Sequence, residues 1–140
     1  MQEFAREAER AGATALWTCD HVFWHRPLLE PLIALGVVAA ATETAAIGTC
    51  VLQLPIRNPA VVARQAATLQ LLSGGRFFLG VGVGSHPGEY EAAGADFGRR
   101  GRALDAGIDA LRRAWSSTGT SELRYRMEPP VPTVPVWVAG

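Results

Sequence analysis

The chain contains no lysine: its 13 basic residues are all arginine, and 13 acidic residues balance them to a formal net charge of zero. Without a positive excess there is no electrostatic footprint for nucleic acid or for an anionic membrane surface, and the expected partner is a small molecule. A chain without lysine also cannot supply the Gly-Lys-Ser/Thr ending of a P-loop. Cysteine is scarce, with only Cys19 and Cys50. Neither falls in a CxxC or Cys/His spacing, so no metal site is expected and both read as reduced thiols. No apolar run approaches the ~20 residues of a membrane span, and the opening "MQEFAREAERAG" is charged and amphipathic with no secretory core. A soluble, cytoplasmic protein is expected, and arginine in place of lysine with abundant alanine suggests a GC-rich bacterial coding sequence.

What is present is a chain of 140 residues, 49% hydrophobic, enough for one domain with a core. Phe4 to Ala11 has the pattern of a helix end, stopped by Gly12. "ATALWTCDH" reads as a buried strand that runs into polar residues, followed by a loop over Val22 to Leu29. "EPLIALGVVAAATE" predicts a helix, with Pro31 in its first turn. "AAIGTCVLQLP" predicts a strand ended by Pro55, and "NPAVVARQAATLQLLSGG" a helix with Asn58 as N-cap and Gly74 as stop. "RFFLGVGVG" is the next strand and "RRGRALDAGIDALRRAW" the next helix. Ser116 to Pro132 is a polar connection in which "ELRYRM" could add a small strand, and "VPVWVAG" closes the pattern.

Apolar strands alternating with amphipathic helices imply an α/β fold with a parallel sheet and helical crossovers. Strand centres near Leu16, Val51 and Leu79 repeat at about 30 residues, the size of one unit of an eight-unit barrel. Four strands do not close such a barrel. Residues 1–140 therefore read as a single incomplete domain, a partial (β/α)8 TIM barrel, with an open four-stranded sheet as the structural alternative.

Glycines crowd "LGVGVGSHPGEY". The dinucleotide fingerprint Gly-x-Gly-x-x-Gly fails here, since its third place falls on Ser85 or Pro87. Two readings remain for the bare backbone at the strand tip: close approach of the amides of Gly82, Val83, Gly84 and Ser85 to an anion or ring, or relief of crowding inside the sheet. Asp20 and His21 end another strand, and Thr49 and Gln53 flank Cys50 near the end of a third. All three tips converge on one face. His25 and His86 lie in loops, at the surface or the rim of a pocket.

The segments "GATALWTCDH", "EPLIALGVVAAATETAAIGTCVLQLPIRNPAVVARQAATLQLLSGGRFFLGVGVG", "EYEAAGADFGRRGRALDAGIDALRRAW" and "PVWVAG" together resemble the luciferase-like monooxygenase family, and within it the group using the deazaflavin coenzyme F420. The resemblance covers almost the whole chain and implies strands two to five of the family's (β/α)8 barrel. It implies that His21, beside Asp20, is the histidine at the reactive face of the deazaflavin, that both are catalytic candidates, and that Trp24 is the aromatic near the ring and substrate pocket. "GTCVL" is similar to the family's bulged strand, in which Thr49, Cys50 and Val51 back the cofactor and the Cys50–Val51 peptide is cis. Gly82, Val83, Gly84 and Ser85 match positions that bind the cofactor phosphate or tail.

The match has departures. Sugar-phosphate dehydrogenases of the group carry a glutamate acid where this chain has Ser85, which leaves His86 and Glu89 as candidate proton donors. Gln70 stands where relatives commonly have aspartate, and reads as structural drift. The implied activity is hydride transfer between F420 and a small organic substrate. One alternative is an FMN-dependent monooxygenase using dioxygen. Another is a non-catalytic half-barrel that associates with a second copy or with the missing half of the barrel.

Overall fold

The computed structural model describes residues 1–116 and 133–139. Its elements are α1 (Gln2–Arg10), β1 (Ala15–Thr18), α2 (Pro31–Ala41), β2 (Ala46–Thr49), β3 (Leu52–Gln53), α3 (Pro59–Leu72), β4 (Phe77–Gly82), α4 (Pro87–Ala92), α5 (Arg100–Trp115) and β5 (Val136–Val138). Local chemistry sets the helix starts. Glu30 accepts the Ile33 N–H at 2.7 Å ahead of α2, and Asn58 accepts the Ala60 N–H at 2.9 Å ahead of α3. Both helices open on proline, which has no N–H to leave unsatisfied there. Among the described residues no helix is long and apolar enough to cross a membrane.

Every strand pairing is parallel, with β1 on β2, β2 and β3 on β4, and β4 on β5. Segments β2 and β3 are two parts of one strand broken at Cys50 and Val51, so the expected single strand over residues 45–55 is interrupted. The spatial order is therefore the chain order. Leu16, Ile47, Leu52, Phe77, Leu79, Val81 and Val136 face one way and share a core with Leu35, Val38, Val62, Ala66, Leu104, Ile108 and Leu111 of the helices. The opposite face carries Trp17, Phe78 and Trp137, whose ring centroids lie 5.0 to 6.3 Å apart. Trp17 and Trp137 are exposed. A doubly wound open sheet would have helices on both faces and a reversal of strand order. Helices on one face and strands in sequential order are the arrangement of a barrel sector, as expected.

Ile47 and Leu52 are both in the core, although positions an odd number apart along a regular strand point to opposite faces. The ladders explain this. Gly48 pairs with Phe78 and Leu52 with Val81, so this strand advances four residues while β4 advances three. The additional residue is a β-bulge, which switches the facing of everything after it. The Cys50–Val51 peptide within it is cis.

Helix α4 was not expected. Its six residues make one and a half turns, which leave no apolar period to detect. The small strand expected at "ELRYRM" lies outside the described residues.

Candidate active site

The C-terminal ends of β1, β3 and β4 bring their following loops together. Asp20 is buried at the end of β1. Its Oδ1 accepts from Arg57 Nη2 at 2.7 Å, and its Oδ2 from Arg57 Nε at 3.2 Å and from the Gln53 N–H at 2.9 Å. Arg57 also donates to Glu30 at 3.1 Å, and the other oxygen of Glu30 caps α2. Both oxygens of Asp20 are thus committed to holding the loop after β1 against the end of β3.

A second carboxylate comes from α4. Glu89 Oε1 accepts the Val22 N–H at 2.7 Å and the Phe23 N–H at 3.2 Å, and Oε2 accepts from Gln53 Nε2 at 2.9 Å. His21 Nδ1 lies 3.3 and 3.4 Å from the two oxygens. Only 3% of Glu89 is exposed. Burial pushes its carboxyl up, but the hydrogen bonds from Gln53, Phe23, Val22 and His21 outweigh that and hold it below the usual carboxylate range. Three protein N–H donors converge on its two oxygens, an arrangement that suits the charged carboxylate. The neighbouring Tyr90 is buried and donates to the Val83 carbonyl. Burial raises its hydroxyl pKa, against a smaller lowering by Arg100.

Above this carboxylate lies an aromatic rim. Trp24 stacks on His21 with centroids 4.0 Å apart and planes 16° apart. His86 meets both rings edge-on at 5.5 and 5.7 Å, and His25 lies 4.6 Å from Trp24. All three histidines of the chain thus gather around one tryptophan. Among the described residues no group of His, Cys, Asp and Glu is arranged to hold a metal ion.

On the inner face, beside the bulge, is a concavity of about 320 Å³ lined by Trp17, Thr49, Cys50, Val51, Gly80, Trp137, Val138 and Ala139. Its wall is almost wholly apolar, since Thr49 turns its hydroxyl into the strand and donates to the Gly80 carbonyl at 2.7 Å. The glycines of β4 serve this wall. A Cβ on Gly80 would collide with the Thr49 carbonyl oxygen, and one on Gly82 would lie 2.7 Å from Val51 Cγ2. Gly84 has φ +72° and packs against the Gln53 side chain, a backbone region that favours glycine. The N–H groups of Gly84 and Ser85 make no backbone hydrogen bond among the described residues.

The candidates therefore fall into two adjoining groups. Thr49, Cys50 and Val51 line the concavity with Gly82 behind Val51, while Asp20, His21 and Trp24 belong to the rim. Val83 packs against the core edge, and Ser85 is exposed. Arg57, and Glu89 as a buried carboxylate under His21, escape a reading of the sequence: their partners lie 37 and 68 residues away. Gln70 has a structural place in the fold. It accepts the Phe77 N–H at 3.1 Å and donates to the Thr133 carbonyl at 3.1 Å, joining α3 to β4 and to the approach of β5.

A parallel barrel sector with a bulged strand and an apolar recess beside it is the class of fold these residues build. The chain belongs to the luciferase-like monooxygenase family, whose model matches residues 1–140. It is 37% identical over 127 residues to an F420-dependent glucose-6-phosphate dehydrogenase of Amycolatopsis mediterranei, covering 84% of this chain and 38% of the relative. It is 26% identical to the oxygenase component of a flavin-dependent trigonelline monooxygenase of Acinetobacter baylyi, covering 100% of this chain and 42% of that protein. Among solved structures, an F420-dependent secondary alcohol dehydrogenase in complex with an F420-acetone adduct superposes with a TM-score of 0.83 at 25% identity, covering 99% of this chain and 47% of that one. The chain spans less than half the length of these relatives.

Proposed function

We propose that this chain forms the part of an oxidoreductase that holds the flat ring of a redox coenzyme, F420 with FMN as the alternative, against a small organic substrate. The observation that carries the proposal is the apolar recess walled by the Cys50–Val51 bulge, placed next to the strand ends that bear His21. An apolar wall with its polar atoms turned away fits one face of a planar ring and excludes water from it. Coenzyme F420, when bound, supplies hydride transfer to or from the substrate. Around it the chain's own residues have separate tasks. Cys50 and Val51 form the backing wall, and the N–H groups of Gly84 and Ser85, which make no backbone hydrogen bond among the described residues, are placed to meet an anionic tail. His21 presents its ring at the rim with Trp24 stacked upon it, and Asp20, held by Arg57, fixes the start of that loop.

The experiment is equilibrium titration of the purified chain with F420 and with FMN, followed by coenzyme fluorescence and by tryptophan emission. Saturable F420 binding, weaker or absent with FMN, supports the proposal. The reverse order favours the monooxygenase reading, and no binding of either removes both. A third reading, a half-barrel whose role is association, is favoured by the exposed Trp17 and Trp137 on the inner face. Sedimentation of the same sample checks whether that face recruits a second copy.

A further inference from the structure

We propose that Glu89 is a positioning residue that sets the tautomer of His21: in the neutral form of the ring the proton sits on Nδ1, so that Nε2 stands at the rim as a hydrogen-bond and proton acceptor. This deepens the function proposed above and rests on it only for what the acceptor is used for.

The argument begins with hydrogen-bond inventory. Nδ1 of His21 lies within reach of both oxygens of Glu89, at 3.3 and 3.4 Å. Those oxygens belong to a carboxylate, which can only accept. Three other donors, the N–H groups of Val22 and Phe23 and Nε2 of Gln53, converge on the same two oxygens. They fix the carboxylate and keep it charged, so the atom facing His21 is an immobile acceptor. A neutral imidazole carries one N–H, and the hydrogen bond made by one nitrogen decides which nitrogen bears it. With a buried acceptor at Nδ1, the proton resides there and Nε2 keeps its lone pair.

The surroundings of the ring support this. Among the described residues Nε2 of His21 has no protein partner, and about a fifth of the side chain is exposed. Trp24 covers one ring face at 4.0 Å and His86 meets the ring edge-on, which limits rotation about χ2. Asp20, the neighbouring acid, is turned to Arg57 and the Gln53 N–H. Among the described residues Glu89 is therefore the one carboxylate bonded to the ring. The site can thus accept a hydrogen bond or a proton from a substrate hydroxyl at Nε2, returning it in the reverse direction.

The test needs no coenzyme. Long-range ¹H–¹⁵N correlation spectra of the ¹⁵N-labelled chain at about pH 9, where ordinary imidazoles are neutral, report the tautomer of each ring directly. With three histidines in the chain, single His25→Gln and His86→Gln variants complete the assignment. The expected result is a tenfold or greater excess of Nδ1–H over Nε2–H at His21 and a loss of that excess in Glu89→Gln, whose neutral amide oxygen is a weaker acceptor. Circular dichroism checks that the variant is folded. An Nε2–H tautomer at His21 in the unaltered chain overturns the proposal whether or not any variant folds. So does a folded Glu89→Gln that keeps the full preference. A His21 in the expected tautomer in a chain that binds neither coenzyme would leave this assignment standing and remove the function proposed above.

Discussion

Replacing Gly82 by alanine separates the two meanings that bare backbone can have at the end of β4. The added methyl would lie 2.7 Å from Val51 Cγ2, roughly 1 Å inside the normal carbon–carbon separation of about 3.5–4.0 Å. Val51 is β-branched and stiff at χ1, and it sits in the bulge between β2 and β3, so it yields only by moving the wall of the concavity. Overpacking of this kind costs about 1–3 kcal/mol. The loss of backbone freedom in the unfolded chain offsets about 0.5–1 kcal/mol of it. A net destabilisation of about 1–2 kcal/mol corresponds, at an m-value of about 2 kcal/mol/M, to a drop of about 0.5–1 M in the urea midpoint. Gly36, inside α2 with nothing within 4 Å of its added Cβ, is the matched control. There alanine raises stability by about 0.5–1 kcal/mol. The assay is urea unfolding of the ligand-free chain followed by tryptophan emission. A Gly82→Ala midpoint at or above that of the unaltered chain would refute the packing argument and leave approach of a ligand as the reason for the glycine.

Three other outcomes follow from the same structure. Arg57→Met strands the buried carboxylate of Asp20, which has 1% side-chain exposure, and is expected to cost about 3 kcal/mol in urea unfolding; a loss under 1 kcal/mol would mean that the pair does not anchor the loop. Glu9 receives the N–H groups of Ala45, Thr44 and Glu43, which hold its carboxyl at about 2. Because the folded value is depressed, its stabilisation is complete above about pH 4.5 and disappears as the pH falls through about 2. Glu89, also lowered, acts in the same sense. Glu9→Gln should therefore melt below the unaltered chain at pH 7 and converge with it near pH 2, as read by thermal scans. Cys50 is exposed and lines the concavity; in a Cys19→Ser background it should be alkylated readily and be protected by bound F420, and equal rates with and without coenzyme would place the coenzyme elsewhere.

Much of the scaffold was legible in the residues. The four longer helices start and stop close to where Pro31, Asn58, Gly12 and the apolar stripes place them, because caps and amphipathic faces are decided within a few residues of chain. The fourth strand could be recognised from "VPVWVAG" for the same reason. α4 could not, since six residues hold too little pattern. The family resemblance pointed to the bulge at Cys50, whereas local alternation predicted one unbroken strand and would have turned Leu52 away from the core.

What the sequence by itself determined is the succession of strands and helices, the balance of 13 basic against 13 acidic residues, and the residues that arrive at the strand ends. What only the tertiary structure decided is how those ends are wired. The pairing of Glu89 with His21 spans 68 residues and that of Arg57 with Asp20 spans 37. No local preference signals such contacts, because each side chain meets its partner only after the parallel sheet has brought separate crossovers to a common edge. The reason that Gly80 and Gly82 are bare likewise appears only once the bulge presses the Thr49 carbonyl and the Val51 side chain against β4.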